Sequence, residues 1–171
     1  AYMEEHVDEE LIRRHERQIF PLLCKRALFS GLDHFRLYDF YLDGGGTDEN
    51  VIAFSNRHEG QRCLVVVHNR FAETAGWIKT SAAYAGEDHP EGLRSSRRQD
   101  LGQGLDLRDE PGWFVVFRDL LSGLEYIRRS RDLFARGLWI GLLAYQAHVF
   151  LDFREEADGA GEKLARLESF L

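Results

Sequence analysis

Val51-Ile52-Ala53-Phe54-Ser55-Asn56-Arg57-His58-Glu59-Gly60-Gln61-Arg62-Cys63-Leu64-Val65-Val66-Val67-His68 decides the fold class of this chain. Residues 51–56 and 63–68 are rich in β-branched and apolar side chains, and the second run suits a strand covered on both faces. Residues 57–60 read as a hairpin loop between them. The stretch predicts two antiparallel strands at the centre of a sheet.

Working outward, residues 35–42 form a first strand, closed by Asp43-Gly44-Gly45-Gly46, whose glycines permit a tight turn. Downstream, residues 77–84 predict another strand. Residues 85–98, rich in Gly, Asp, Ser and Arg, have no apolar period and read as an exposed loop. A short helix is expected over 101–107 and a strand over 113–119. Ser122-Gly123 then turns the chain into a further strand over 124–128. Ser130 is placed to cap a two-turn helix, with Asp132 in its first turn and Gly137 as its stop. Strands over 138–142 and 148–153 flank an Ala144-Tyr145-Gln146 corner, and residues 162–171 close the chain as a helix displaying Leu164, Leu167 and Leu171.

The opening segment has a different period. Val7, Leu11, Ile12, Ile19, Leu22, Leu23 and Ala27 recur at helical spacing, and Arg13, Arg14, Glu16, Arg17 and Arg26 fill the other face. Pro21 removes a backbone donor and predicts a break near Ile19 and Phe20; Gly31 ends the helical region. The expected fold class is α+β, mainly β: an antiparallel Greek-key β-sandwich with an N-terminal helical segment and a C-terminal helix.

At 171 residues, with 44% hydrophobic and 30% charged residues, the chain fits one globular domain. A net charge of -7 argues against nucleic acid, which needs a basic face to release counterions. No apolar stretch approaches the roughly 20 residues that span a bilayer, so no membrane partner is expected. Cys24 and Cys63 are too few for a disulfide framework or a four-ligand zinc site, and both are expected as small core residues. The lack of disulfides leans toward a cytoplasmic location. The start, Ala1-Tyr2-Met3-Glu4, is neither a translation start nor a signal peptide, and suggests a segment of something longer.

The order of these segments resembles the α-amylase family of glycosidases, at the point where the catalytic barrel ends and the C-terminal β domain begins. Arg17-Gln18-Ile19-Phe20-Pro21-Leu22-Leu23 is similar to the helix end that precedes that domain. Residues 51–57 and 63–69, a Val run leading to Asn69, are similar to its central hairpin. Leu142-Leu143-Ala144-Tyr145 is similar to the Leu-x-x-Tyr corner joining its last two strands. The long insertions over 85–112 and 130–136 depart from a minimal domain of this kind. The resemblance implies three parts: residues 1–31 leading from a missing N-terminal catalytic barrel, residues 32–157 as a C-terminal β-sandwich, and residues 158–171 as a helix packed on it. The partner it implies is that barrel, with α-glucan as a further contact and a dimer through the exposed helix as the alternative for the isolated chain. The implied function is a non-catalytic β domain of an α-amylase-like glycoside hydrolase. A free-standing carbohydrate-binding module is the alternative.

Glycosidases of this type use two carboxylates at the ends of barrel strands. No segment matches those motifs, so no catalytic residue is assigned and no cofactor is implied. Glu4, Glu5, Asp8, Glu9 and Glu10 read instead as a solvated helix start. His34, His58, His68 and His148 lack the His-x-His or His-Glu-x-x-His spacing of a metal site, so no metal is expected. Gly44-Gly45-Gly46 lacks the Lys-Ser or Lys-Thr of a phosphate loop. Flat rings can stack on pyranose faces, which makes Trp77, Trp113, Trp139 and Tyr38 the carbohydrate-binding candidates. The competing reading places these rings in the core. Trp77 is the best exception, because the preceding Glu73-Thr74-Ala75-Gly76 suggests an edge.

Overall fold

A computed structural model gives the fold, and describes residues 7–88, 94–159 and 163–168. Ala1-Tyr2-Met3-Glu4-Glu5, residues 89–93 of the expected loop, and residues 162 and 169–171 of the expected closing helix lie outside the described residues.

The chain enters through three helices, α1 (Glu9–Gln18), α2 (Phe20–Cys24) and α3 (Arg26–Ser30). The Asp8 carboxylate accepts from the Glu10 and Leu11 amides and caps α1, while Glu9 and Glu10 favour its positive end. The break falls at Ile19, where Pro21 sits in the first turn of α2 and its missing N–H costs nothing.

The strands follow as β1 (Arg36–Leu42), β2 (Val51–His58), β3 (Gln61–His68), β4 (Thr74–Ser81), β5 (Tyr84–Asp88) and β6 (Arg94–Arg97). After the short helix α4 (Leu101–Gly104) come β7 (Trp113–Asp119), β8 (Glu125–Arg129), the helix α5 (Ser130–Ala135), β9 (Leu138–Leu142), β10 (Ala147–Ala157) and a closing helix α6 (Lys163–Glu168). The β2–β3 pairing runs from Val51 opposite His68 to His58 opposite Gln61. Its turn is therefore two residues, Glu59 at φ 47° and Gly60 at φ 78°, the left-handed pair that matches strand twist.

Eight strands form one antiparallel sheet in the order β8-β7-β10-β3-β2-β1-β4-β9. The consecutive neighbours β4-β1-β2-β3 are a Greek key, as expected. Residues from strands far apart in that order share one core: Phe117 of β7, Val66 of β3, Phe40 of β1 and Ile140 of β9. The sheet thus curls until its inner faces meet, with Leu101 and Leu105 around α4 and Leu133 of α5 filling the space between. The mainly β, antiparallel architecture follows the sequence reading; the two layers are made by one curled sheet.

On the outer face, Leu28 packs with Cys63, Val65, Val149 and Leu151, and Leu22 and Phe29 cover them. Cys63 is buried, as expected. Cys24 is exposed, a correction: Leu22 and Leu28 turn toward the sheet and leave the end of α2 facing out. The expected loop over 85–98 is corrected too, because β5 and β6 pair as a separate two-stranded ribbon. Ser130 opens α5 as its first helical residue rather than as its cap; Arg129 holds the cap position and the buried Ser130 hydroxyl donates to the Arg108 carbonyl.

Candidate functional site

Side chains alternate along a strand, so the residues of β9 that do not enter the core must face out. Leu138, Ile140 and Leu142 are buried, and Trp139 and Gly141 are exposed. In the β4–β9 ladder Trp139 stands directly opposite Trp77, which in turn lies opposite Tyr41 of β1. Three aromatic side chains therefore sit side by side on the outer face of one corner of the sheet.

One carboxylate ties two of them. The turn after β1 bends through Gly45 at φ 92° and Gly46 at φ 81°, and brings Asp43 over the pair. Trp77 Nε1 donates to Asp43 Oδ1 at 2.8 Å and Trp139 Nε1 donates to Oδ2 at 3.2 Å. Each indole spends its only donor on the same anion, so each ring is fixed in rotation and offers a ligand only its face and edge.

The two rings differ in access. Trp77 is half-buried, with the Arg136 guanidinium 5.0 Å and the Lys79 ammonium 5.2 Å from its ring centre, a cation–π arrangement that occupies the ring. Trp139 is 46% exposed. Sequence reasoning favoured Trp77 as the rim residue; the geometry makes Trp77 the backing and Trp139 the open ring. Gly141, two residues along, has no side chain, and the end of the Trp139 ring lies over it: a Cβ there would meet that ring at 3.7 Å.

Next to Gly141 lies a depression of about 540 Å³ lined by Glu73, Thr74, Ala75, Gly141, Leu142 and Leu143. Tyr145 and Phe71 are 63% and 83% exposed, with ring centres 6.2 Å apart. Tyr145 adopts φ 53°, a left-handed conformation supported by its N–H, which donates to the Arg70 carbonyl, and by Gln146, whose side chain accepts from the Leu143 amide at 2.8 Å. Phe71 was not singled out from sequence; the available signal was one aromatic residue in the polar run Asn69-Arg70-Phe71-Ala72-Glu73.

The other two candidates lie elsewhere. Tyr38 is 3% exposed, and its hydroxyl is 2.7 Å from Ser55 Oγ inside the inner core, so no ring face is open to a ligand. Burial, working against the Ser55 hydrogen bond, pushes its phenol up to about 12. Tyr38 belongs to the core because β1 turns it inward beside Phe40. Trp113 lines a different cleft of about 860 Å³ beside α5, under the Arg108 guanidinium 4.3 Å away. That cleft holds several carboxylates, and two of them have structural roles. Asp100 caps α4 through the Gln103 amide, and Asp109 pairs with Arg131 at 3.6 Å.

The histidines weighed as metal ligands, His34, His58, His68 and His148, are dispersed. His34 is exposed beside Arg57 at 3.2 Å, and His58 is exposed at the β2 end. His68 is buried with Nδ1 donating to the Leu143 carbonyl at 3.0 Å, and His148 meets Asp119 at the same distance. Among the described residues no group of three or more His, Cys, Asp or Glu side chains could hold a metal ion. Among them, too, no helix is long and apolar enough to cross a membrane.

Compared with known proteins, the sequence matches no family model, and no curated protein matches it.

Proposed function

We propose that this chain is the non-catalytic C-terminal β domain of an α-amylase-like glycoside hydrolase, which supports a catalytic barrel through its opening helices. The observation that carries the reading is the unpartnered stripe on those helices. Neither α1 nor α2 contains a buried residue, and Leu11, Ile12, Ile19, Phe20 and Leu23 are exposed together. Leu22 is half-covered by the sheet, so the domain grips one side of the helical segment and leaves the other bare. Burying a Leu or Ile side chain contributes about 1.5–3 kcal/mol, and a contiguous apolar stripe is the mark of a surface made to be covered. The segment order that resembles the α-amylase family places the barrel at this end. The Trp139 surface favours a second reading, a free-standing carbohydrate-binding module, which leaves the helical stripe without a role.

Cys24 reports on the test, because it lies at the end of α2 and is exposed in this chain. Thiol labelling is compared in the isolated 171-residue chain and in the intact gene product. The expected result is rapid labelling in the first and protection in the second. Equal labelling in both, or release of reducing sugar from starch by the isolated chain, would overturn the proposal.

A further inference from the structure

We propose that the outer face of β9, from Trp139 past Gly141 to Leu143, binds a linear α-1,4-glucan. The choice of α-glucan rests on the function proposed above; the pyranose chemistry rests on the geometry of the face itself.

A sugar site needs a flat apolar surface held rigid, with polar groups at its margin for the hydroxyls. Trp139 supplies the surface. Its N–H is already bonded to Asp43, so stacking a ligand on the ring costs little further ordering. Trp77, flanked by Arg136 and Lys79, is pinned to the same carboxylate and so holds Asp43 in place for the Trp139 N–H. The margin is polar on the β4 side. Glu73 has no hydrogen-bond or ion-pair partner among the described residues, and it walls the depression beside Gly141 together with Thr74.

Length argues for a chain rather than a single sugar. From Trp139 to Leu143 the strand direction covers four residues, ~13 Å at the usual rise. Beyond Leu143 stand the exposed rings of Tyr145 and Phe71. Gly141 lets the Trp139 ring lie along the strand as a platform, since a side chain there would press against the end of that ring. The position is compatible with a docked barrel, because β9 is an edge strand separated from β2 and β3, where α3 packs, by β1 and β4.

The test is affinity electrophoresis of the 171-residue chain in gels containing amylopectin, with calorimetric titration of maltoheptaose. Circular dichroism establishes that each variant is folded. Wild type is expected to be retarded. Trp139→Ala and Gly141→Val are expected to weaken binding at least about tenfold, the scale of losing one stacked ring with its desolvation, and Trp113→Ala to leave it unchanged. No retardation of the folded wild-type chain, or equal retardation of wild type and Trp139→Ala, would sink the proposal. Retardation by a soluble β-1,4-glucan and not by amylopectin overturns the assignment to α-glucan. Protection of Cys24 in the intact protein is a separate readout, so failure of glucan binding and failure of barrel docking are told apart.

Discussion

His148 Nδ1 lies 3.0 Å from Asp119 Oδ2 within the fold, joining the middle strand β10 to the end of its neighbour β7. The same carboxylate accepts from the Ser122 hydroxyl at 2.6 Å and from the Val149 amide at 3.0 Å. Burial opposes the Asp119 charge, but His148, Ser122 and the Val149 and Leu121 amides outweigh it and hold the carboxyl down at about 2. Folded and unfolded chains therefore differ in proton uptake between the ordinary 3.8 and about 2. The stabilisation is present above that window and is lost as pH falls through it. Asp119→Ala is expected to cost about 2–4 kcal/mol at neutral pH, through orphaned buried donors. Urea denaturation of wild type and variant should give midpoints that converge as pH falls from 5 toward 2.5.

At the opposite extreme of pH, Tyr38 makes the corresponding prediction. Its folded phenol is pushed up to about 12 from 10.0, so the neutral form is favoured in the fold. The contribution is complete below 10 and disappears as pH rises from 10 to about 12. Tyr38→Phe leaves the fully buried Ser55 hydroxyl without that partner, at an expected cost of about 1–3 kcal/mol. Alkaline titration of tyrosine absorbance should show one group ionising only together with loss of near-ultraviolet dichroism.

Gly137 ends α5 at φ 81°, and a Cβ there would collide with the Ile78 carbonyl oxygen of β4. Two independent costs act at one position: left-handed strain and backbone overlap. Gly137→Ala is expected to destabilise by about 2–4 kcal/mol, read as a lowered urea midpoint with an unchanged slope.

The two cysteines should separate cleanly in the isolated chain. Burial pushes the Cys63 thiol up to about 11, while Cys24 is exposed. A thiol reagent at neutral pH is expected to modify Cys24 promptly and Cys63 only at the rate of unfolding. Equal rates for both would contradict the packing of Leu28 over Cys63.

Where one face of a strand is apolar and the turns are conventional, the sequence was legible. The bounds of β7 and β9, the β2–β3 hairpin, the break before Pro21 and the stop at Gly137 all follow from local patterns. The β5–β6 ribbon was not legible, because Tyr84-Ala85-Gly86 and Ser96-Arg97 carry no alternation and the ribbon packs outside the main sheet. Of the aromatic site, Trp77 and Trp139 were visible as residue types. Their meeting was not, since the pairing of β4 with β9 joins positions 62 residues apart and no local signal encodes it. Asp43 was read only as part of a glycine turn. Its role depends on the direction in which that turn delivers its side chain, which is a property of the assembled sheet.

The place of β10 in the sheet has a consequence for synthesis. Among the described residues it is the last strand in sequence, yet it lies between β3 and β7 and is the only strand joining the pair β8-β7 to the five strands β3-β2-β1-β4-β9. Until it leaves the ribosome, β3 and β7 both present unsatisfied backbone edges, and Phe117 and Val66 belong to two half-built cores. Earlier hairpins can form as they emerge, but the two parts of the sheet join only after translation has passed β10. A chain interrupted before Ala147 would thus display two sticky seams rather than a smaller stable domain.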